Sequence, residues 1–297
     1  MKTIALVSHD SGGAEILSSW LVDHTGPVIC VLDGPAKKIF KRKCGIFEEG
    51  SLEGAIEQAD WVLCGTSWQS NLERRAIAQA RIAGKYSVTF LDHWANFRSR
   101  FEEKGTFVFP DEIWVGDPDA LIIAKKYIPE VRISLVENPY FKQIVFQANT
   151  RKKDLPEPLN GSVLYVTEPT SEHALKQFGD ARYFGFTEQE ALYFFLNTCE
   201  SKGIHLQNLL LRPHPAESND KYLAILKPIK TNWKICSSTE LIDHILQSEI
   251  VAGCNTTAMV VALLLGKRIL CTIPPGGPSC SLPQSQIEYL RDMVLAG

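Results

Sequence analysis

The feature that most constrains this chain is a rhythm. Short apolar runs rich in β-branched residues recur along it, separated by stretches with helical spacing: "TIALVS", "PVICVL", "DWVLCG", "YSVTFL", "EIWVG" and "RISLVE" come first, with helical patterns at 13–23, 69–83 and 118–127. Unbroken apolar runs belong to strands buried on both faces, and a parallel sheet between two helix layers provides that burial. The polar stretch "QANTRKKDLPEPLNG" at 147–161 interrupts the rhythm; its two prolines cannot pair within a central strand, so it reads as a linker. The alternation then resumes with "SVLYVT", "LQNLLLR", "WKICS", "EIVAG" and "RILCT", with helices near 187–201, 239–246 and 256–265. The expected fold class is α/β: two doubly wound Rossmann-like αβα domains facing a cleft, at residues 1–148 and 161–297, with the linker at 149–160.

Bulk properties agree with two cores and exclude several classes. A length of 297 residues suits two domains of ~150 each. The 45% hydrophobic and 22% charged shares are those of an ordinary globular protein. A net charge of -3 argues against nucleic acid as a partner, which draws a basic surplus. The longest apolar candidate, 258–265, falls well short of the ~18 residues of a spanning helix. In "MKTIALVSHD" Asp10 arrives before a secretory apolar region could form, so this segment reads as a first strand. The eight cysteines form no C-x-x-C pair and mostly sit in apolar runs, as small buried hydrophobes of a cytosolic protein do. The expected location is cytoplasmic, with the inner face of the membrane as a second setting.

Ligands of open parallel sheets bind beyond the carboxyl ends of strands, so the loops there carry the functional candidates. After the first strand, "SHDSGGAEI" offers Gly12 and Gly13 for close backbone approach at a helix start, with His9 and Asp10 directed toward the expected cleft. Helix capping by Asp10 is the structural alternative. In "CGTSWQSNLERRA", Gly65, Thr66, Ser67 and Ser70 precede an amphipathic helix, as caps or as ligand-binding hydroxyls. "FLDHWANFRSRF" crowds Asp92, His93, Trp94, Asn96 and Arg98 at another strand end. Rings there can stack on a sugar or base, and Asp and Arg can fix hydroxyls or a carboxylate; an Asp–His pair locking the loop is the alternative.

In the second half, "LLLRPHPAES" places Arg212, His214 and Glu217 at a strand mouth, stiffened by Pro213 and Pro215. Such a turn aims His214 to donate to a phosphate oxygen, with Arg212 adding charge for a departing nucleotide. In "VAGCNTTAMVVALLLGKRIL" a strand ends at Gly253 and Asn255, Thr256 and Thr257 open an apolar helix, whose free N–H groups and hydroxyls suit a phosphate. "YVTEPTSEH" supplies Thr167, Glu168, Ser171, Glu172 and His173 near where a base or ribose would lie, and "IPPGGPSCSLP" borders the same cleft.

This combination, "RPHP" in one loop and the Gly253 to Lys267 helix pattern in the next, resembles glycosyltransferases of the GT-B architecture. More narrowly it is similar to bacterial surface-carbohydrate enzymes with an HP element: sialyltransferase-like and Kdo-transferase-like families, which use CMP-activated acidic sugars, and the CDP-glycerol polymerases. The specific motifs lie mainly in 209–270. The resemblance implies that His214 meets the donor phosphate, that Thr256 and Thr257 help hold it, and that Asp10, by loop position, is the carboxylate base of several inverting members. Many GT-B enzymes carry a longer final helix than the one before Gly297, so a fuller protein or a partner is expected to complete the cleft. No D-x-D stands at a strand end, since "DPD" at 117–119 reads as a helix start, so no essential metal is expected.

The leading expectation is a metal-independent glycosyltransferase taking a nucleotide sugar, CMP-activated first and UDP-activated second, to a surface-glycan acceptor. Catalytic candidates are Asp10, His214, His9, Asp92 and His93; donor-binding candidates are Gly12, Gly13, Thr167, Glu168, Arg212, Pro215, Glu217, Asn255, Thr256 and Thr257. A nucleotide-sugar hydrolase or 2-epimerase, or a noncatalytic binding subunit, would use the same fold. A peripheral contact with membrane or a partner protein is part of the same expectation.

Overall fold

The computed structural model describes residues 1–68, 70–236 and 241–295, and the chain divides into two compact units, Met1–Gln143 and Ile144–Gly297. The first begins with β1 (Ile4–Ser8), α1 (Ser11–Asp23), β2 (Val28–Leu32), α2 (Pro35–Cys44), β3 (Glu48–Glu49), α3 (Leu52–Gln58), β4 (Trp61–Cys64), α4 (Leu72–Ile82) and β5 (Tyr86–Leu91). A small hairpin of β6 (Glu102–Glu103) and β7 (Thr106–Phe107) leads to β8 (Glu112–Val115), α5 (Pro118–Tyr127), β9 (Arg132–Leu135) and α6 (Pro139–Arg151), which carries the boundary between the units. The sheet order is β3-β2-β1-β4-β5-β8-β9, every pair parallel. Leu6, Leu17, Phe40, Leu63 and Phe90 fill its core without solvent contact.

The second unit runs β10 (Ser162–Val166), α7 (Thr170–Phe178), α8 (Glu188–Thr198), β11 (Asn208–Arg212), α9 (Leu223–Leu226), β12 (Asn232–Ile235), α10 (Leu241–Leu246), β13 (Ile250–Gly253), α11 (Thr257–Leu264), β14 (Arg268–Cys271), β15 (Ile287–Tyr289) and α12 (Leu290–Leu295). Its order is β12-β11-β10-β13-β14-β15, again all parallel. Tyr165, Phe195, Leu211, Tyr222 and Leu270 form its core, where the Tyr165 hydroxyl meets Thr272 Oγ1 at 2.8 Å and so is not left unpaired. Thr187 opens α8 with a reciprocal capping box to Glu190.

Both sheets are therefore doubly wound, and strand order reverses on either side of the first strand of each: between β1 and β4, and between β10 and β13. Loops leaving two such strands diverge toward opposite faces and open a crevice at the strand ends. That topology places the candidate residues.

Some expectations shift. Residues 149–151, read as linker, are the last turn of α6, because a solvent-facing helix end has the same polar composition as a linker. Helices α2, α3, α6, α7 and α9 add to those expected; α2 hides its period under five Lys and Arg residues and buries only Ala36 and Phe40. Gln69, Ser237 of the "WKICS" run, and residues 239–240 of the helix expected at 239–246 lie outside the described residues. Six of the eight cysteines are buried, and all are free thiols. Among the described residues no helix is long and apolar enough to cross a membrane.

Candidate functional site

In the first unit the loops after β1 and β4 meet across the reversal of strand order. Asp10 stands at the N-cap of α1 but makes no capping hydrogen bond. Its carboxylate turns across the crevice and accepts from Ser67 Oγ at 2.8 Å, the Trp68 amide at 2.8 Å and His9 Nδ1 at 2.6 Å. The capping alternative is thus overturned: a stronger set of donors lies across the switch point than at the helix end. Thr66 and Ser67 likewise do not cap α4, whose N-cap is Asn71; each hydroxyl instead holds a carboxylate.

The contact to Asp10 makes His9 Nδ1 the donor, which leaves the lone pair of the neutral ring on Nε2. Nε2 has no hydrogen-bond partner among the described residues, and the side chain is 15% exposed. The ring lies over Gly34, at φ +51°, where a Cβ would come within 2.6 Å of Nε2. Glycine is required there twice, for the left-handed backbone and for the room.

Asp92, at the end of β5, is the second carboxylate. Its Oδ1 accepts from Thr66 Oγ1 at 2.7 Å and Arg100 at 2.9 Å. Its Oδ2 lies against the start of α1 at Gly12, where a Cβ would stand 1.9 Å away. Gly13 packs on Gly65, with a Cβ there reaching the Gly65 Cα at 3.1 Å. The two glycines serve the carboxylate and the close helix–strand approach.

The "FLDHWANFRSRF" cluster divides. Asp92 does not pair with His93, whose Nδ1 accepts from the Ala95 amide at 3.3 Å and whose proton affinity is lowered by burial and by Arg100. Trp94 is buried and donates to Asp117, so it offers no stacking surface; Trp68, 48% exposed with the Arg100 guanidinium 5.4 Å from its ring centroid, does. Arg98 pairs with Glu130 and lies over Phe107, away from Asp92. The sequence reading missed Arg100, which a 3-10 turn at Arg98–Phe101 swings inward. It also missed Glu73 on α4, a buried carboxyl that accepts the His9 amide. Alternate Arg residues in "FRSRF" look equivalent until that turn is known, and Glu73 reads as a first-turn helix acid.

In the second unit the corresponding loops follow β10 and β13. Glu168 accepts the Asn255 amide at 2.8 Å, and burial raises its carboxyl to about 7. Asn255 Oδ1 accepts from the Ser281 amide at 2.7 Å, tying the proline-rich loop to the start of α11. Thr256 is the N-cap of α11, accepting the Ala258 amide, and Thr257 is its first residue. The "RPHP" turn is held by buried Thr167, to which the His214 amide donates at 3.1 Å, and by Glu217 at 3.0 Å. Thr167 also donates to Glu217. Glu217 further accepts from Lys221 at 2.8 Å and Tyr222 at 2.6 Å, and its side chain is fully enclosed. It is a support for the turn, with no lone pair facing solvent. Arg212 lies 3.2 Å from His244 Nδ1, and Pro215 is exposed at the tip of the turn.

His214 itself is exposed. Its Nδ1 accepts the Ala216 amide at 3.2 Å, so the neutral ring carries its proton on Nε2. Burial lowers its proton affinity against the pull of Glu217, which favours that neutral donor at neutral pH. Glu172, Glu188 and Glu217 lie close enough to share a cation, and the ammonium of Lys221 bonds to all three. A lysine thus occupies the place a metal would take.

No family model and no curated protein matches this sequence. Solved structures do. The glycotransferase of kitacinnamycin is 13% identical with a TM-score of 0.56, covering 99% of this chain and 90% of that one. The UDP-GlcNAc 2-epimerase of Methanocaldococcus jannaschii is 12% identical with a TM-score of 0.57, covering 91% and 83%. A variant of the wall teichoic acid polymerase TagF is 14% identical with a TM-score of 0.51, covering 91% and 70%. The fold is GT-B-like, one that glycosyltransferases and 2-epimerases share.

Proposed function

We propose that this chain is a glycosyltransferase that moves a sugar from a nucleotide donor, a CMP-activated acidic sugar first, to a hydroxyl of a glycan acceptor. The observation that carries this reading is the His9–Asp10 pair, an imidazole fixed by a carboxylate with its other nitrogen unpartnered at a strand end. Asp10 was the base suggested by loop position, but three donors occupy its oxygens. The base is then His9 Nε2. It takes the proton of the acceptor hydroxyl as that oxygen bonds to the anomeric carbon and the bond from that carbon to the phosphate oxygen breaks. Asp10 holds the tautomer and stabilises the imidazolium. Taken by itself, the second unit offers the His214 Nε2–H and the start of α11 to the phosphate of a nucleotide.

A second reading has one observation behind it. Asp92 Oδ2 has no hydrogen-bond partner among the described residues and stands beside the α1 start, as an acid acting on the sugar or on water in a hydrolase or 2-epimerase would.

Incubating the protein with CMP- and UDP-sugars, with and without a glycan acceptor, separates the readings. Acceptor-dependent nucleotide release supports transfer; acceptor-independent release or a C2 epimer supports the second reading; binding without turnover marks a noncatalytic subunit. His9→Gln and Asp10→Asn should each lower transfer by ~10² to 10⁴-fold, and for Asp10→Asn, which sets an NH2 against one of the three donors, the fall is read on protein shown to be folded. Full transfer by His9→Gln would remove the base from His9.

A further inference from the structure

Behind the His9–Asp10 pair lies Glu73, which neither the fold nor the motif reading assigns a task. It sits in the first turn of α4, where an acid is ordinarily a solvent-facing complement to the helix dipole. Here it is turned inward and only 3% exposed. Oε1 accepts the His9 amide at 2.8 Å, while Oε2 is buried with no hydrogen-bond partner among the described residues. A buried carboxylate oxygen with no donor costs free energy that a helix-dipole role does not require, since the same charge would be better placed in water. The cost is explained if the charge acts on something nearby.

We propose that Glu73 is the positioning residue of His9: it fixes the backbone from which the ring projects and, when ionised, raises the proton affinity of that ring through the uncompensated charge on Oε2. The proposal rests on His9 being the base. Two acids then grip one histidine, Asp10 through its ring and Glu73 through its amide. Two further titratable groups face this pair among the described residues: Cys64 at the end of β4, a buried thiol kept protonated, and Asp33 after β2, which faces His9 from the exposed side. Neither places a positive charge beside Oε2. Burial pushes the Glu73 carboxyl up to about 7, with Asp10 adding to the rise and the Glu73 and His9 amides opposing it. Its charge therefore appears in the neutral range in which a histidine base must lose its own proton.

The test is the titration of the His9 ring in the intact protein, read by ring ¹⁵N NMR and assigned with His9→Gln. Glu73→Gln keeps an oxygen for the His9 amide and removes the charge, so the His9 midpoint should fall by about one pH unit, a tenfold loss of proton affinity. The low-pH limb of the transfer profile should move down with it. An unmoved midpoint in folded Glu73→Gln overturns the proposal. Should that variant fail to fold, the wild-type His9 curve decides: an inflection coincident with the ¹³C titration of the Glu73 carboxyl supports the coupling, and a single-site curve overturns it. Absence of turnover with every nucleotide sugar would sink the transferase reading but leave this ring titration as informative as before.

Discussion

In each unit an acid from the loop after the first strand reaches across the switch point to a backbone amide: Asp10 takes that of Trp68, and Glu168 takes that of Asn255. Around Asp10 the partners are a hydroxyl, an amide and an imidazole, and the nearby Arg100 is spent on Asp92. Around Glu168 the neighbouring acids Glu188 and Glu217 are bound by Lys221, and the ordered product is a turn carrying an exposed histidine. The same topology thus yields a nitrogen with an open lone pair in one unit and a supported N–H donor in the other. What an acid does at a switch point is set by which donors compete for its oxygens.

The largest effect should come from the supported side. Lys221→Met leaves three carboxylates around an empty place, and removing one partner of a buried ion pair typically costs ~3–5 kcal/mol, read by urea unfolding at pH 7. Against the opposing pull of burial, hydrogen bonds from Lys221, Thr167 and Tyr222 hold Glu217 below its ordinary 4.5. Its stabilisation is therefore full above 4.5 and lost as pH falls through the lower folded value, so the variant should lose less stability on acidification than wild type. A cost well under ~1 kcal/mol would mean the cluster does not hold the turn.

His214→Ala should lower turnover by ~10²-fold, with nucleotide affinity falling alongside and little change in stability, because the ring's one hydrogen bond, from the Ala216 amide, lies within the turn itself. Unaltered affinity and turnover in the folded variant would reduce the comparison to a difference in packing.

Gly12→Ala sharpens the other side. Its Cβ would stand 1.9 Å from Asp92 Oδ2, forcing the carboxylate off Thr66 and Arg100 at a cost of ~1–3 kcal/mol by thermal unfolding. Wild-type stability and activity together would show that Asp92 can move freely.

The smallest effect concerns Glu168. Its folded value is raised, so its contribution is present below 4.5 and lost as pH rises through about 7. Glu168→Gln keeps an acceptor for the Asn255 amide without that loss, so its stability relative to wild type, read by urea unfolding at each pH, should rise as pH goes from 5 to 8. A pH-independent difference would mean that Glu168 is ionised throughout.

The fold was legible because strands buried on both faces must be written as apolar runs, and those runs survive in β1, β4, β5, β10, β11, β13 and β14 whatever surrounds them. The strand-end loops were legible for the same reason, as the places where apolar runs stop. Helix α2 was not, since two buried positions in ten carry too little signal beneath its charges. The site was legible as an inventory of residue types and hidden as a set of partnerships. His9, Asp10, Asp92 and His214 could be picked out, but that Asp10 is saturated by three donors, that Arg100 rather than Arg98 faces Asp92, and that Glu73 points inward depends on contacts 57, 58, 8 and 64 residues apart. Hydrogen-bond competition is decided by distance in space, and a linear pattern of residue types records only which groups are able to compete.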